Sequence, residues 1–239
     1  ESYEILSFIS SHVSVFADFQ QKVSSHQTSE SLILEKLSPC QKLHLPQVYK
    51  NSPFVARLAS YFIEDKAIQR KYLDQLCVSS KEEDLPLCYL VPSLEEEMNL
   101  LAETVKMRQA KGEKIGILVP TEKMIYEIVS GLEKREVNVE KAIEKDAQNV
   151  LHEPYDFEND LPKITTFDRA TGLTFDSLFL PQMREENFAS MDHESRMKTL
   201  FMALVRARKW VYLSIVKGKE IKEIDLLKRA QKNGDLLML

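Results

Sequence analysis

Two arginines lie where an apolar helical pattern passes directly into an apolar strand. They are Arg206 and Arg208, in the stretch LFMALVRARKWVYLS. A guanidinium is always charged, so beside a buried strand it needs a carboxylate, a phosphate or water. Anion binding is one interpretation. A solvated or salt-bridged surface arginine is the commoner situation for any single arginine taken alone.

A second concentration of polar side chains lies in ITTFDRATGLTFDSLFLPQM, residues 164–183. The pattern predicts a strand, a polar turn and another strand. Gly172 in the turn allows a positive φ or the close approach of another molecule. The crowded polar groups are Asp168, Arg169, Thr171 and Thr174. An ordinary strand connection explains the spacing equally well.

The surrounding pattern predicts an α/β fold with a mostly parallel sheet flanked by helices. From residue 87 onwards, continuous apolar runs alternate with helical spacing, which is typical of strands covered on both faces. Strands are predicted at LCYLVP, KIGILVP, KITTF, SLFLP and WVYLSIV, and earlier at VSVFAD. Helices are predicted after Asn51-Ser52-Pro53, from Ser93 to Ala110, after Thr121, from Glu194 to Ala207, and in the tail. Ligands of such sheets bind outside the carboxyl ends of the strands, which directs attention to the segment after KITTF.

Composition restricts the possible functions. The 239 residues carry a net charge of −5, which argues weakly against a broad nucleic-acid surface but leaves room for a local basic groove. No apolar run is long enough to span a membrane, so no membrane partner is expected. Three dispersed cysteines show no metal or redox spacing, which predicts a cytoplasmic protein without a metal site. The Asp192-His193-Glu194 triplet indicates a helix start rather than a site.

Four segments, in order, resemble superfamily I DNA helicases of the UvrD/Rep/PcrA type. Residues 164–176 resemble motif V (T-x-H-x-x-K-G-L-E-F-D), and residues 200–214 resemble motif VI (Y-V-A-L-T-R-A-x-x-x-L-Y-L-S). VFADFQQ, residues 15–21, resembles motif III (G-D-x-x-Q), and VYKNSPFVARLASYFI, residues 48–63, resembles the N-Y-R-S segment. KIGILVPTEKM is similar to the strand that begins the nucleotide-facing half of the second motor domain.

The resemblance implies a RecA-like fold of the P-loop NTPase type and a role for each matching residue. Arg206 would be the arginine finger, and Gln21 would sense the γ-phosphate of ATP. The implied ATP-binding residues are Tyr49, which would stack on adenine, Lys50, Gly172 and Thr174. The implied DNA-binding residues are Thr166, Asp168, Arg169 and Thr171.

Several matching positions depart from the family pattern. Ala17 replaces the motif III glycine, and Lys50 replaces an arginine and so loses the two-pronged hydrogen bonding of a guanidinium. Asp168, Thr171 and Thr174 replace a histidine, a lysine and a glutamate in motif V. Asp168 would repel a DNA phosphate, so the DNA contact is the weaker part of the resemblance.

The resemblance also implies a division into domains. Residues 1–80 would be the tail end of the first motor domain, and residues 81–239 the second RecA-like domain without a large accessory insertion. No G-x-x-x-x-G-K-[ST] phosphate loop is found, and no acidic Mg²⁺-binding strand precedes Val13. We therefore expect a carboxy-terminal fragment that is inactive alone. ATP and Mg²⁺ would bind only in the longer protein, and none would bind to this fragment by itself.

Single-stranded or partly duplex DNA and the missing first motor domain are the expected partners, with 3′ to 5′ movement. An alternative is a non-catalytic helicase-like module that serves as a protein or nucleic-acid interaction platform. An unrelated α/β domain with chance motif matches is the third possibility.

Overall fold

The chain forms two compact units, residues 1–47 and residues 48–239. The computed structural model describes residues 5, 9–10, 12–16, 29–43, 51–76, 84–141, 156 and 158–239. In the first unit, helix α1 (Glu30–Lys36) begins at Ser29, whose Oγ accepts the N–H of Leu32 at 3.2 Å. The strand predicted at VSVFAD is wrong for residues 13–16, which form no strand. Phe16 is 90% exposed there, so its alternating pattern buries no apolar face.

The second unit contains the regular elements that the alternating pattern predicts. Its α-helices are α2 (Pro53–Ser60), α3 (Lys66–Asp74), α4 (Leu94–Ala110), α5 (Glu122–Glu133), α6 (His193–Leu204) and α7 (Ile224–Lys232). Its strands are β1 (Leu87–Val91), β2 (Ile115–Val119), β3 (Glu140–Lys141), β4 (Lys163–Thr166), β5 (Phe175–Leu180), β6 (Ala207–Val216) and β7 (Leu237–Met238). A short 3-10 helix covers Glu185–Phe188.

All seven described strands lie in one sheet, in the order β3-β4-β2-β5-β6-β1-β7, and every pairing is parallel. The predicted α/β fold with a parallel sheet flanked by helices is therefore confirmed. Because the strands are parallel, their carboxyl ends share one edge of the sheet and their amino ends share the other. We call these the carboxyl edge and the amino edge.

Local sequence signals set the helix starts. Ser93 caps α4 through a bond from the N–H of Glu96, and Asp192 caps α6 through a bond from the N–H of Ser195. Ser52 caps α2, with Pro53 at the first helical position. Thr121 precedes α5 as predicted, but its side chain makes no capping hydrogen bond.

The sheet separates two hydrophobic layers. One face packs with α2, α6 and α7 through residues such as Leu58, Phe175 and Leu178. The opposite face packs with α4 and α5 through residues such as Leu101 and Phe179. Since the neighbours Leu178 and Phe179 face opposite layers, β5 is covered on both sides, as its continuous apolar sequence predicts. Helices α2 and α3 belong to the same compact unit as the sheet. Assignment of residues 1–80 to a first motor domain stays a prediction.

One close approach in the sheet involves Gly116 of β2 and Phe175 of β5. A Cβ atom on Gly116 would lie only 2.3 Å from Cδ2 of Phe175, and other ring atoms lie within 2.6 Å. The ring occupies the space that any other residue would need. Phe175 is 1% exposed, so its ring has little room to move away.

We therefore expect Gly116→Ala to lower the free energy of unfolding by about 2 kcal/mol, because the new methyl group overpacks the core. Gly131→Ala in α5 is the matched control. Its Cβ would meet the flexible end of Met98, at 2.8 Å from the sulfur, and alanine favours the helix by about 1 kcal/mol. Urea unfolding of both variants tests this, and equal stability for both would contradict the steric argument.

Candidate functional site

Arg206 lies in the short turn between α6 and β6, at the amino edge of the sheet. It is only 4% exposed, which excludes the interpretation of Arg206 as a solvated surface arginine. Its Nε donates to the carbonyl oxygen of Met202 at 3.1 Å. Its backbone N–H donates to Ala203, and its own carbonyl accepts the N–H of Phe175 at 2.9 Å. Arg206 is thus held by both its side chain and its backbone.

Thr174 adjoins Arg206 at the same edge, because it precedes the Phe175 that bonds to the Arg206 carbonyl. The chain segment before α2 reaches this edge as well. The Asn51 side-chain amide donates to the carbonyls of Val205, at 3.0 Å, and Ala207, at 2.5 Å. Sequence reasoning used Asn51 only as part of a helix start, since nothing local signals a bond across 154 residues.

Three predicted residues, Gln21, Tyr49 and Lys50, lie outside the described part of the chain, as does Ala17. Their proposed contacts with ATP stay predictions.

The DNA-binding candidates lie at or near the opposite, carboxyl edge. Thr166 ends β4, and its buried Oγ1 has no hydrogen-bond partner among the described residues. Asp168 is exposed, and Thr171 donates from its hydroxyl to the Asp168 carbonyl at 2.9 Å. Arg169 forms an ion pair with Glu122, the first residue of α5. This pair joins the segments that follow the neighbouring strands β2 and β4.

The connection from residue 167 to residue 174 therefore runs from one edge of the sheet to the other. Val119, at the carboxyl end of β2, pairs with Thr166, whereas Ile115, at its amino end, pairs with Ser177. Gly172 lies on this connection with a φ of +85°, the positive value that its position suggested. The predicted site residues are consequently divided between two edges. The expectation that ligands bind at the carboxyl ends of the strands therefore accounts for the DNA-binding candidates but not for Arg206 and Thr174.

Exposed charges surround the amino edge. Asp176 lies in β5, and its Oδ1 is 3.3 Å from Lys209 Nζ and 3.9 Å from Arg208. Its other carboxylate oxygen accepts the N–H of Lys114 at 3.1 Å. Arg208, the second arginine of the opening motif, is thus exposed beside a carboxylate, in the manner of an ordinary surface arginine.

A cleft of about 740 Å³ opens elsewhere in the second unit, among α2, α3, α6 and α7. None of the predicted site residues lines it. His193, in its wall, lies 3.1 Å from Glu64 and 3.5 Å from the buried Glu223. Asp192 caps α6, so the predicted helix start at Asp192-His193-Glu194 is confirmed. The described residues contain no cluster of three or more metal-binding side chains, and none of the described helices is long and apolar enough to cross a membrane.

Arg196 anchors the amino-terminal half of α6, the helix that leads to Arg206. Its buried guanidinium makes two hydrogen bonds to Glu185, at 2.6 and 3.1 Å, and a weaker one to Glu223 at 3.4 Å. It also donates to the carbonyl of Phe188. Hydrogen bonds from Arg196, together with those from the side chain and backbone N–H of Lys222, lower the pKa of the Glu185 carboxyl to about 2.

Comparisons with known proteins identify the class of fold. No protein family and no curated protein sequence matches the chain. Among solved structures, the C-terminal domain of a possible DNA helicase from Lactobacillus plantarum WCFS1 is similar. It has 14% sequence identity and a TM-score of 0.57, and the match covers 80% of this chain and 98% of that domain. The chain has a RecA-like α/β fold, shared with this possible helicase domain.

Two arterivirus structures show weaker likeness. Nonstructural protein 10 (helicase) is 13% identical with a TM-score of 0.41, and the same protein in complex with DNA is 12% identical with a TM-score of 0.40. The matched region covers 64% of this chain in both cases and spans about a third of those viral proteins.

The Glu185 contact generates a prediction about acid stability. The folded-state pKa lies below the ordinary value, so the contact stabilises the fold fully above about pH 4.5 and loses its effect as the pH falls towards 2. Glu185→Gln should therefore be less stable than the wild type near neutral pH, with a difference that shrinks between pH 4.5 and 2. Urea unfolding across this range is the measurement. Glu127→Gln, at an exposed position of α5, is the control, and a pH-independent difference for Glu185→Gln would contradict the assignment.

Proposed function

We propose that the chain is the carboxy-terminal part of an ATP-dependent DNA helicase or translocase of the UvrD/Rep/PcrA type. It would supply the arginine finger from its second motor domain. The observation that carries the proposal is the position of Arg206, fixed at the amino edge beside Thr174. The fold shared with a possible helicase domain and the ordered motif resemblances support it.

The geometry suits a finger in two respects. A guanidinium neutralises the charge that develops on a transferring phosphoryl group, and it works best when it is already oriented. The bond from Nε to the Met202 carbonyl fixes the plane of the guanidinium group. Because the phosphate-binding loop and the Mg²⁺-binding carboxylates would belong to the first motor domain, closure of the two domains would couple ATP binding to movement.

DNA would bind at the carboxyl edge, and the connection from residue 167 to residue 174 would link it to the nucleotide. Peptide N–H groups of this connection and the hydroxyl of Thr171 would contact the backbone of a single strand. In this proposal ATP and Mg²⁺ supply the chemical energy and the electrophile. The residues of this chain orient Arg206 and hold the strand.

A non-catalytic helicase-like module remains the second candidate, because Asp168 is exposed at the edge where DNA would bind. A carboxylate at that position opposes a phosphate backbone. The two candidates differ in what they require before Glu1. A phosphate loop and an acidic Mg²⁺ motif there favour the motor, and their absence would exclude it.

We expect Arg206→Ala to reduce DNA-stimulated ATP hydrolysis by the full-length protein about a thousandfold, with little effect on ATP binding. Arg206→Lys should recover little activity, because an ammonium lacks the planar fork of the guanidinium. Arg70→Ala, which removes an exposed arginine from α3, is the control. Steady-state hydrolysis and equilibrium nucleotide binding are the two measurements. Hydrolysis by Arg206→Ala at the wild-type rate would remove the finger assignment.

Asp168→Asn should tighten the binding of single-stranded DNA about two- to fivefold at moderate salt, because it removes a like charge from the proposed DNA path. Asp225→Asn changes the net charge equally at a side chain on α7 that is 84% exposed. Fluorescence anisotropy with a labelled oligonucleotide measures both. An equal gain in the two variants would indicate a general charge effect and count against DNA at the carboxyl edge.

A further inference from the structure

A single side-chain amide forms hydrogen bonds on both sides of Arg206 in the turn between α6 and β6. Asn51 Nδ2 donates to the carbonyls of Val205 and Ala207, the residues immediately before and after Arg206. One NH₂ group has two hydrogens, and both are used here. Asn51 is only half-buried, but its two acceptors belong to buried residues.

The same turn has no free carbonyl. The Arg206 carbonyl accepts the N–H of Phe175, and the Arg208 carbonyl accepts the N–H of Ser52 at 2.6 Å. Four consecutive carbonyls, from Val205 to Arg208, therefore receive hydrogen bonds from two other segments of the chain. Asn51 provides the bonds to the two that flank Arg206. The end of α6 would otherwise leave such carbonyls unsatisfied.

Asn51 is not needed to start α2. Ser52 is the cap, because its Oγ accepts the N–H of Val55 at 3.2 Å, and Pro53 follows at the first helical position. The Asn51 side chain points instead to the α6–β6 turn. A purely local explanation of this asparagine therefore fails.

We propose that Asn51 is a positioning residue for Arg206: its amide holds the α6–β6 turn so that the guanidinium stays oriented towards the nucleotide. This inference rests on the proposed function of Arg206. It also explains how the segment with Tyr49 and Lys50 could communicate with Arg206, since Asn51 directly follows Lys50 in the chain. A movement of the Tyr49–Lys50 segment would then change the position of Arg206 as well.

The experiment compares Asn51→Ala and Asn51→Asp with Asn187→Ala in the full-length protein. Aspartate keeps the shape of asparagine but cannot donate to the two carbonyls. Asn187 is the matched control, because its part-buried amide also donates to a backbone carbonyl, that of Gln182 at 2.9 Å. Asn187→Ala should thus lose about as much stability as Asn51→Ala, but it removes no hydrogen bond from the turn that carries Arg206.

Both Asn51 variants should lower the kcat of ATP hydrolysis about tenfold, with KM for ATP changed less than about twofold, because misorientation weakens only the transition-state contact. Asn187→Ala should keep the wild-type kcat. In a double-mutant cycle, adding Asn51→Ala to Arg206→Ala should cause no further loss, because the asparagine acts through the arginine.

Hydrogen exchange gives a readout that does not depend on hydrolysis. Asn51→Ala should speed amide exchange in residues 202–209, and Asn187→Ala should not. Unchanged exchange there would overturn the inference. So would a wild-type kcat for Asn51→Ala when Arg206→Ala is inactive, or equal losses of kcat for Asn51→Ala and Asn187→Ala. If Arg206→Ala itself hydrolyses ATP normally, the proposed function fails, and the exchange result alone decides whether Asn51 fixes the turn.

Discussion

The contact of Phe175 with Gly116 is the constraint on which the amino edge depends. Because Gly116 has no side chain, the ring of Phe175 lies directly on β2, deep in the core. That position brings the Phe175 N–H to the carbonyl of Arg206. A packing contact between two central strands thus fixes the start of β5, and the start of β5 fixes the arginine turn. The position of Arg206 therefore depends on packing in the hydrophobic core.

The two groups of candidate residues are separated by the length of a strand but are joined by eight residues of chain. Residues 167–174 begin beside the Arg169–Glu122 ion pair at the carboxyl edge and end beside Arg206 at the amino edge. The two edges are therefore linked covalently by one short connection.

Much of the second unit could be predicted because its elements are signalled locally. Continuous apolar runs located five strands, and Ser93 and Asp192 located helix starts. Strands β3 and β7 have two residues each, too few for a periodic pattern, and exist only because neighbouring strands pair with them. At the site, the positive φ of Gly172 could be predicted from its place in a polar turn between two strands. The bonds of Asn51 could not be predicted, because they depend on how distant segments meet. VSVF alternates like a strand, but alternation produces no strand without a neighbour to pair with.

The hydrogen bonds to the four carbonyls from Val205 to Arg208 have a mechanical consequence. A shift of this turn by one residue would break all four hydrogen bonds together, so the turn cannot move independently of the sheet at low cost. Arg206 then travels only as far as the sheet itself travels. A displacement of the sheet is thus passed to Arg206 without being absorbed by the turn that carries it.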